Sequence, residues 1–195
     1  MPAPSPQAWE LALLALTVLV GAAVVVGTLR TGAPPMPTRP LVRDAMLARL
    51  PPDAAVIHEL GAGFGGLALA AARARPGARV HAWERAWLPW LVCRLRAALL
   101  GDGRVAVHRS DLLDAPHQHA DAVLLYLHPE AMAALAPRLE AHLRPGATVV
   151  SNSFALPGWT TETEDRLPDV LRTRVLVYRA PAVAAAPTPT SGGLG

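Results

Sequence analysis

From residue 41 onward the chain alternates short apolar runs with amphipathic stretches. Ala54 to Leu60, Arg79 to Glu84, Arg104 to His108, Ala120 to Leu127 and Ala147 to Ser151 are brief, mostly apolar and bounded by turn residues, the pattern of buried strands. Helical spacing lies between them. Leu41 to Leu50 places Leu41, Val42, Ala45, Met46 and Leu50 on one side, and Glu130 to Leu143 does the same with Met132, Leu135, Leu139 and Leu143 before Pro145-Gly146 stops it. Leu67 to Arg75 and Leu88 to Leu100, closed by Gly101, predict two more helices. Strand and helix in alternation predict an α/β fold: a Rossmann-like, doubly wound, mostly parallel sheet with helices on both faces. Leu171 to Arg179 predicts a last strand, antiparallel at the sheet edge.

The N-terminus has a different texture. Leu11 to Leu29 is a run of 19 uncharged, mostly apolar residues, long enough at 1.5 Å per residue to cross a hydrocarbon layer of ~30 Å. One transmembrane helix is therefore expected within residues 1–30. A cleavable leader fits less well, because no basic residue precedes the apolar run. Arg30, Arg39 and Arg43 follow it, so the rule on positive flanks places the rest of the chain on the cytoplasmic face of the membrane, as a single-pass protein. Residues 31–40, with Pro34, Pro35, Pro37 and Pro40, read as an extended linker, and 180–195 as a disordered low-complexity tail. The folded domain is expected over 41–179.

All 18 basic residues are arginine; there is no lysine. The arginines are scattered and aromatic residues make up only 5%, so the high pI reflects composition and no nucleic-acid partner is expected. Arginine-only, alanine-rich usage suits a GC-rich bacterial genome, and with it the inner membrane. Cys93 stands alone among Leu91, Val92 and Leu95, which excludes an intrachain disulfide and reads as a buried structural thiol. His117-Gln118-His119 lacks neighbouring acids or cysteines at metal-ligand spacing and reads as a solvated loop, so no metal is expected.

The chain's most informative stretch is His58-Glu59-Leu60-Gly61-Ala62-Gly63-Phe64-Gly65-Gly66, where a buried strand breaks into glycines and re-forms as a helix. Glycine permits positive φ and close backbone approach, and the helix start offers unpaired N–H donors, so a nucleotide-like ligand belongs here. Gly61, Gly63 and Gly66 satisfy the dinucleotide pattern, with Glu84 near the expected ribose acid. Glu59, Gly61, Gly63 and Gly65 equally resemble motif I of the seven-strand S-adenosylmethionine-dependent methyltransferases. Glu59 separates the two. A carboxylate at a buried strand end needs a cationic or donor partner, which the cofactor's α-ammonium supplies and a pyrophosphate does not.

Glu84-Arg85-Ala86-Trp87-Leu88-Pro89-Trp90, Pro37-Thr38, and Phe154-Ala155-Leu156-Pro157-Gly158-Trp159 resemble a narrower group. These are the membrane-tethered protein-lysine methyltransferases of the adenine nucleotide translocase and ATP synthase c-subunit. The resemblance implies S-adenosyl-L-methionine as cofactor, with Glu84 accepting the ribose hydroxyls, Asp111 the adenine amino group, and Gly61 to Gly65 wrapping the methionine portion. It also implies a protein substrate, with membrane proteins among the candidates. A transferred methyl needs a neutral amine, and a lysine of pKa ~10.4 held neutral at pH 7 costs about 4.6 kcal/mol. Tyr126 and His128, at the exit of the fourth strand, are the candidates to orient it, and His128 to take its proton through a water. Asn152, Ser153, Phe154 and Trp159 are candidates for the substrate channel. Methylation of a small molecule or lipid, an NAD-binding oxidoreductase, and a catalytically silent membrane scaffold remain alternative readings.

Overall fold

The computed structural model describes residues 6–31 and 37–181. Most of the predicted linker and tail, residues 32–36 and 182–195, lies outside the described residues. The first helix, α1, runs Pro6–Thr31. Among the described residues no helix is long and apolar enough to cross a membrane, so the expected transmembrane helix is not found there. The described side chains of α1 include residues 7–22. Those side chains are nonetheless apolar on every side, with Leu11, Leu13, Leu14, Leu16, Val18 and Leu19 all exposed.

The domain is a seven-stranded sheet in the order β3-β2-β1-β4-β5-β7-β6. Its strands are β1 (Val56–Leu60), β2 (Arg79–Trp83), β3 (Val105–His108), β4 (Ala122–Leu125), β5 (Thr148–Asn152), β6 (Thr163–Arg166) and β7 (Arg174–Arg179). The first five are parallel. β7 runs antiparallel to β5, with Asn152 opposite Val175, and β6 closes the edge as the other arm of a hairpin. The helices α2 (Pro40–Ala48), α3 (Gly66–Ala74) and α4 (Trp87–Leu100) follow the expected bounds within two residues, as does α5 (Pro129–His142).

Alternation sorts the strands onto two cores. Ile57, Val80, Ala82, Leu124 and Val150 pack with Met46, Leu67 and Ala71 from α2 and α3. Leu60, Val123, Leu125, Val149 and Tyr178 pack with Met132, Leu135 and Leu139 of α5. Two further expectations need correction. β7 is one strand in from the edge, because β6, whose sequence Thr-Glu-Asp-Arg carries no apolar signal, lies outside it. The charges of β6 are neutralised locally: Arg49 reaches Asp165 at 2.7 Å and Arg174 reaches Glu164 at 2.7 Å. A charged edge strand also discourages pairing with another chain.

His117 is the second correction. It sits in a 3-10 turn (His117–His119) that, with Leu112–Asp114, replaces a helix between β3 and β4. The turn presses His117 against the sheet until it is 1% exposed, with neither ring nitrogen hydrogen-bonded. Burial lowers its pKa to about 4.

Candidate cofactor site

The parallel strands end together, and the loops that leave them build the site. Gly61, Gly63 and Gly65 all have positive φ (79°, 53° and 76°). Gly61 and Ala62 both donate to the Trp83 carbonyl at 2.9 Å, which ties the loop to β2. A Cβ on Gly61 would meet Leu127 Cδ2 at 2.5 Å, and one on Gly65 would meet Cys93 Sγ at 2.5 Å. Gly63 differs. A Cβ there has nothing within 4 Å, so the loop is closed against protein at two glycines and open at the third. Cys93 is buried as expected, with burial raising its pKa to about 12.

Glu59 ends β1 and is buried, with Oε2 lacking any hydrogen-bond partner. Burial pushes its pKa up to about 8, Glu84 adds repulsion, and a hydrogen bond from the Ala68 backbone acts in the opposite direction. Glu84 follows β2. Its Oε2 accepts from Gly63 N–H at 2.8 Å and its Oε1 from Ala86 N–H at 2.7 Å, which pins the glycine loop and the start of α4 to one side chain. Burial again raises its pKa, against those backbone bonds. The Arg85 backbone N–H donates to the same carboxylate, which leaves acceptor capacity for a hydroxyl donor. Asp111, after β3, caps the next turn by accepting from Leu113 N–H at 3.1 Å and faces Arg85 Nη1 at 3.2 Å.

The residues therefore fit a sulfonium nucleoside. Glu59 presents an orphan buried acceptor to a cation, and Gly63 leaves the backbone open where a ligand must approach. Glu59, Gly61, Gly63, Gly65 and Glu84 meet around one loop, while Asp111 stands one strand further out.

On the acceptor side, Tyr126 and His128 lie just beyond β4, both half-buried. His128 caps α5, its Nδ1 accepting from Ala131 N–H at 3.4 Å. While that bond holds, the neutral ring carries its proton on Nε2, so His128 is placed as a donor more than as a base. Asn152 is buried at the end of β5, and its Oδ1 accepts from Ser153 Oγ at 2.7 Å. Ser153 has φ 67°, a left-handed conformation that turns Phe154 outward. Trp159 lies elsewhere: its Nε1 donates to Ala136 O of α5 at 3.3 Å and its ring stands edge-on to Tyr178. It fastens the β5–β6 loop to the α5 face.

Arg96 was not foreseen. From α4 its Nη1 donates to Phe64 O at 2.7 Å, at the centre of the glycine loop. It lies three residues after Cys93, which backs Gly65, so the two share a helix face. Helical spacing from Cys93 was the available signal. Among the described residues no group of three or more histidine, cysteine or acidic side chains is arranged to hold a metal ion.

Comparison with known proteins extends the picture. A family model described as the ANTKMT methyltransferase domain matches residues 59–163. The mouse adenine nucleotide translocase lysine N-methyltransferase is 39% identical over 74 residues, 36% of this chain and 32% of that protein. The chain thus spans about a third of that relative's length. Among solved structures, an RNA methyltransferase from Salinibacter ruber in complex with S-adenosyl-L-homocysteine is 31% identical, with TM-score 0.66, over 75% of this chain and 94% of that one. A putative methyltransferase from Escherichia coli, 20% identical, has TM-score 0.62 over 75% and 89% of the two chains and speaks to the fold alone.

Proposed function

The chain belongs to the ANTKMT methyltransferase family, and from that premise we propose that this S-adenosylmethionine-dependent methyltransferase acts on a lysine side chain of a protein at a membrane. The likeness to the mouse lysine N-methyltransferase carries the lysine reading. When bound, the cofactor supplies an electrophilic methyl group. Glu59 takes its α-ammonium, Glu84 the ribose hydroxyls, Asp111 the adenine amino group, and Gly61 to Gly65 line the methionine portion. Tyr126 and His128 orient the acceptor nitrogen, and Asn152, Ser153 and Phe154 border its approach.

The membrane reading rests on α1. A helix apolar on every side belongs in lipid or a core, and the described side chains of α1 are exposed. Arg30, Arg39 and Arg43 on its C-terminal flank support a catalytic domain on the cytoplasmic side of a bacterial inner membrane.

The test is transfer of tritiated methyl from the cofactor to membranes prepared without the enzyme. Label that is protease-sensitive and recovered as methyl-lysine supports the reading. The Salinibacter relative favours a second reading, an RNA acceptor, and nuclease-sensitive label would establish it and sink the first.

A further inference from the structure

Eight large apolar side chains of the described domain, residues 37–181, are exposed, and their distribution is uneven. Leu95, Leu99 and Leu100 lie toward the end of α4, which leads through Gly101 to the start of β3, the pole away from the cofactor loop. The other five sit at the carboxyl end of the sheet. Trp87 opens α4 beside Glu84, Leu41 lies in the first turn of α2, and Phe154 follows β5. Val170 and Leu171 form the tip of the β6–β7 hairpin, 98% and 70% exposed. That tip belongs to the same end, because β7 runs antiparallel to β5 and Ser153 N–H donates to the carbonyl of Arg174, the first residue of β7 after the turn, at 2.7 Å.

The turn is rigid. Asp169 accepts from Thr173 N–H at 2.7 Å and Thr173 Oγ1 at 2.6 Å, and Arg172 N–H donates to Asp169 O at 2.9 Å. Polar bonds thus hold two aliphatic side chains out in water. Asp169 also faces Arg39 Nη1 at 3.4 Å, so the tip is clipped to the segment by which the chain arrives from α1. Only residues 32–39 separate Thr31 at the end of α1 from Pro40 at the start of α2, a reach of at most about 28 Å. Arg39, Arg43 and Arg172 lie in the same segments, Arg43 paired with its neighbour Asp44 at 2.9 Å.

We propose that this rim, led by Val170 and Leu171, seats in the interfacial layer of a lipid bilayer, so that the mouth of the cofactor cleft opens onto the membrane surface. The proposal rests on the membrane reading above and adds an orientation to it. Aliphatic side chains mixed with arginine at the point where an apolar helix enters are the chemistry of an interface-lying surface.

The experiment uses the full chain reconstituted into phosphatidylcholine–phosphatidylglycerol vesicles, with an environment-sensitive fluorophore on Val170→Cys or, as control, Leu99→Cys. Native Cys93 is buried and stays unlabelled. The expected result is a blue-shifted V170C probe quenched at least twofold by shallow spin-labelled lipid, an unquenched L99C probe, and unchanged S-adenosylhomocysteine binding in both. If the protein floats with vesicles while the V170C probe stays unquenched, the anchor stands and the rim proposal falls. If the protein does not float, the membrane reading falls and takes the proposal with it. A blue shift that rises with protein concentration and ignores the quenching lipid assigns the rim to a second copy, which also overturns it.

Discussion

Glu59 should be protonated in the empty site and release its proton when cofactor binds. Burial moves its pKa from 4.5 to about 8, so at pH 7 about nine empty sites in ten hold the proton, and ionising the group there costs about 1.4 kcal/mol. The unfolded chain ionises near 4.5. The folded state therefore binds the extra proton between about pH 4.5 and 8; stability is greatest below that window and is lost as pH rises through it. Above pH 8 the whole displacement corresponds to roughly 5 kcal/mol. An α-ammonium beside Oε2 reverses the preference and expels the proton. Titration calorimetry with S-adenosylhomocysteine at pH 7, in phosphate and in Tris, should show about 0.9 proton released per site. Affinity should rise close to tenfold per pH unit below 7 and level off toward 8. Glu59→Gln should release none, bind with little pH dependence, and lose a charge-assisted hydrogen bond of ~1.5–3 kcal/mol, a roughly 10- to 150-fold weaker Kd at pH 8. Without ligand, the variant should melt higher than the native protein at pH 9. Equal heats in the two buffers, or an E59Q variant that binds as tightly at pH 8, would refute the placement of the ammonium on Glu59.

The glycines make separable predictions. Gly63→Ala should cost about 1–2 kcal/mol of stability for its positive φ yet weaken cofactor binding at least tenfold, since its Cβ enters the open side of the loop. Gly65→Ala should destabilise by roughly 3–4 kcal/mol, and Cys93→Ala should recover part of that, because the clash is with Sγ; thermal melts of the two singles and the double measure the coupling. Arg96→Ala should weaken S-adenosylhomocysteine binding several-fold by freeing the Phe64 carbonyl while leaving the pH dependence set by Glu59 intact. On the acid side, His58 (pKa lowered to about 3, by burial first and His81 next) and His117 (to about 4) resist protonation only when folded. Their contribution to stability should fall from pH 6.5 toward 4 at about 1.4 kcal/mol per pH unit for each ring, against the opposite contribution of Glu59 above pH 4.5, and His117→Gln should make the acid-side fall shallower in pH-dependent melts.

What was legible in the sequence follows from which forces leave a periodic trace. Strands buried on both faces are mostly apolar, so β1, β4 and β5 announced themselves despite the buried polar residues in β1 and β5, and the glycine spacing of the cofactor loop reflects backbone conformations that few other residues adopt. β6 left no such trace. It lies at an edge, buries little, and is held by Arg49 and Arg174, one of them more than a hundred residues away in sequence. His117 misled for a related reason: a polar tripeptide in a loop looks solvated unless one knows that the β3–β4 connection has no helix and must cover the sheet itself. The same face gathers His58, His81 and His108 on three adjacent strands, with His81 Nδ1 and His108 Nε2 3.0 Å apart and Trp83 stacked on His108. Strand register alone sets that row, since His58 pairs with His81, and Trp83 with His108. Arginine's role was hidden in the same way. The scattered distribution suggested no site, yet Arg75 donates to the carbonyls of Pro51, Leu47 and Leu50, Arg104 to that of Pro76, and Arg96 to that of Phe64. A planar guanidinium with five donors can bridge several carbonyls at the ends of helices and loops where a lysine ammonium makes a single point contact. Arg75→Lys should therefore lose most of the clamp despite keeping the charge, at about 1–2 kcal/mol in a denaturant titration, and a variant as stable as the native protein would show that charge alone holds the α2–β1 connection.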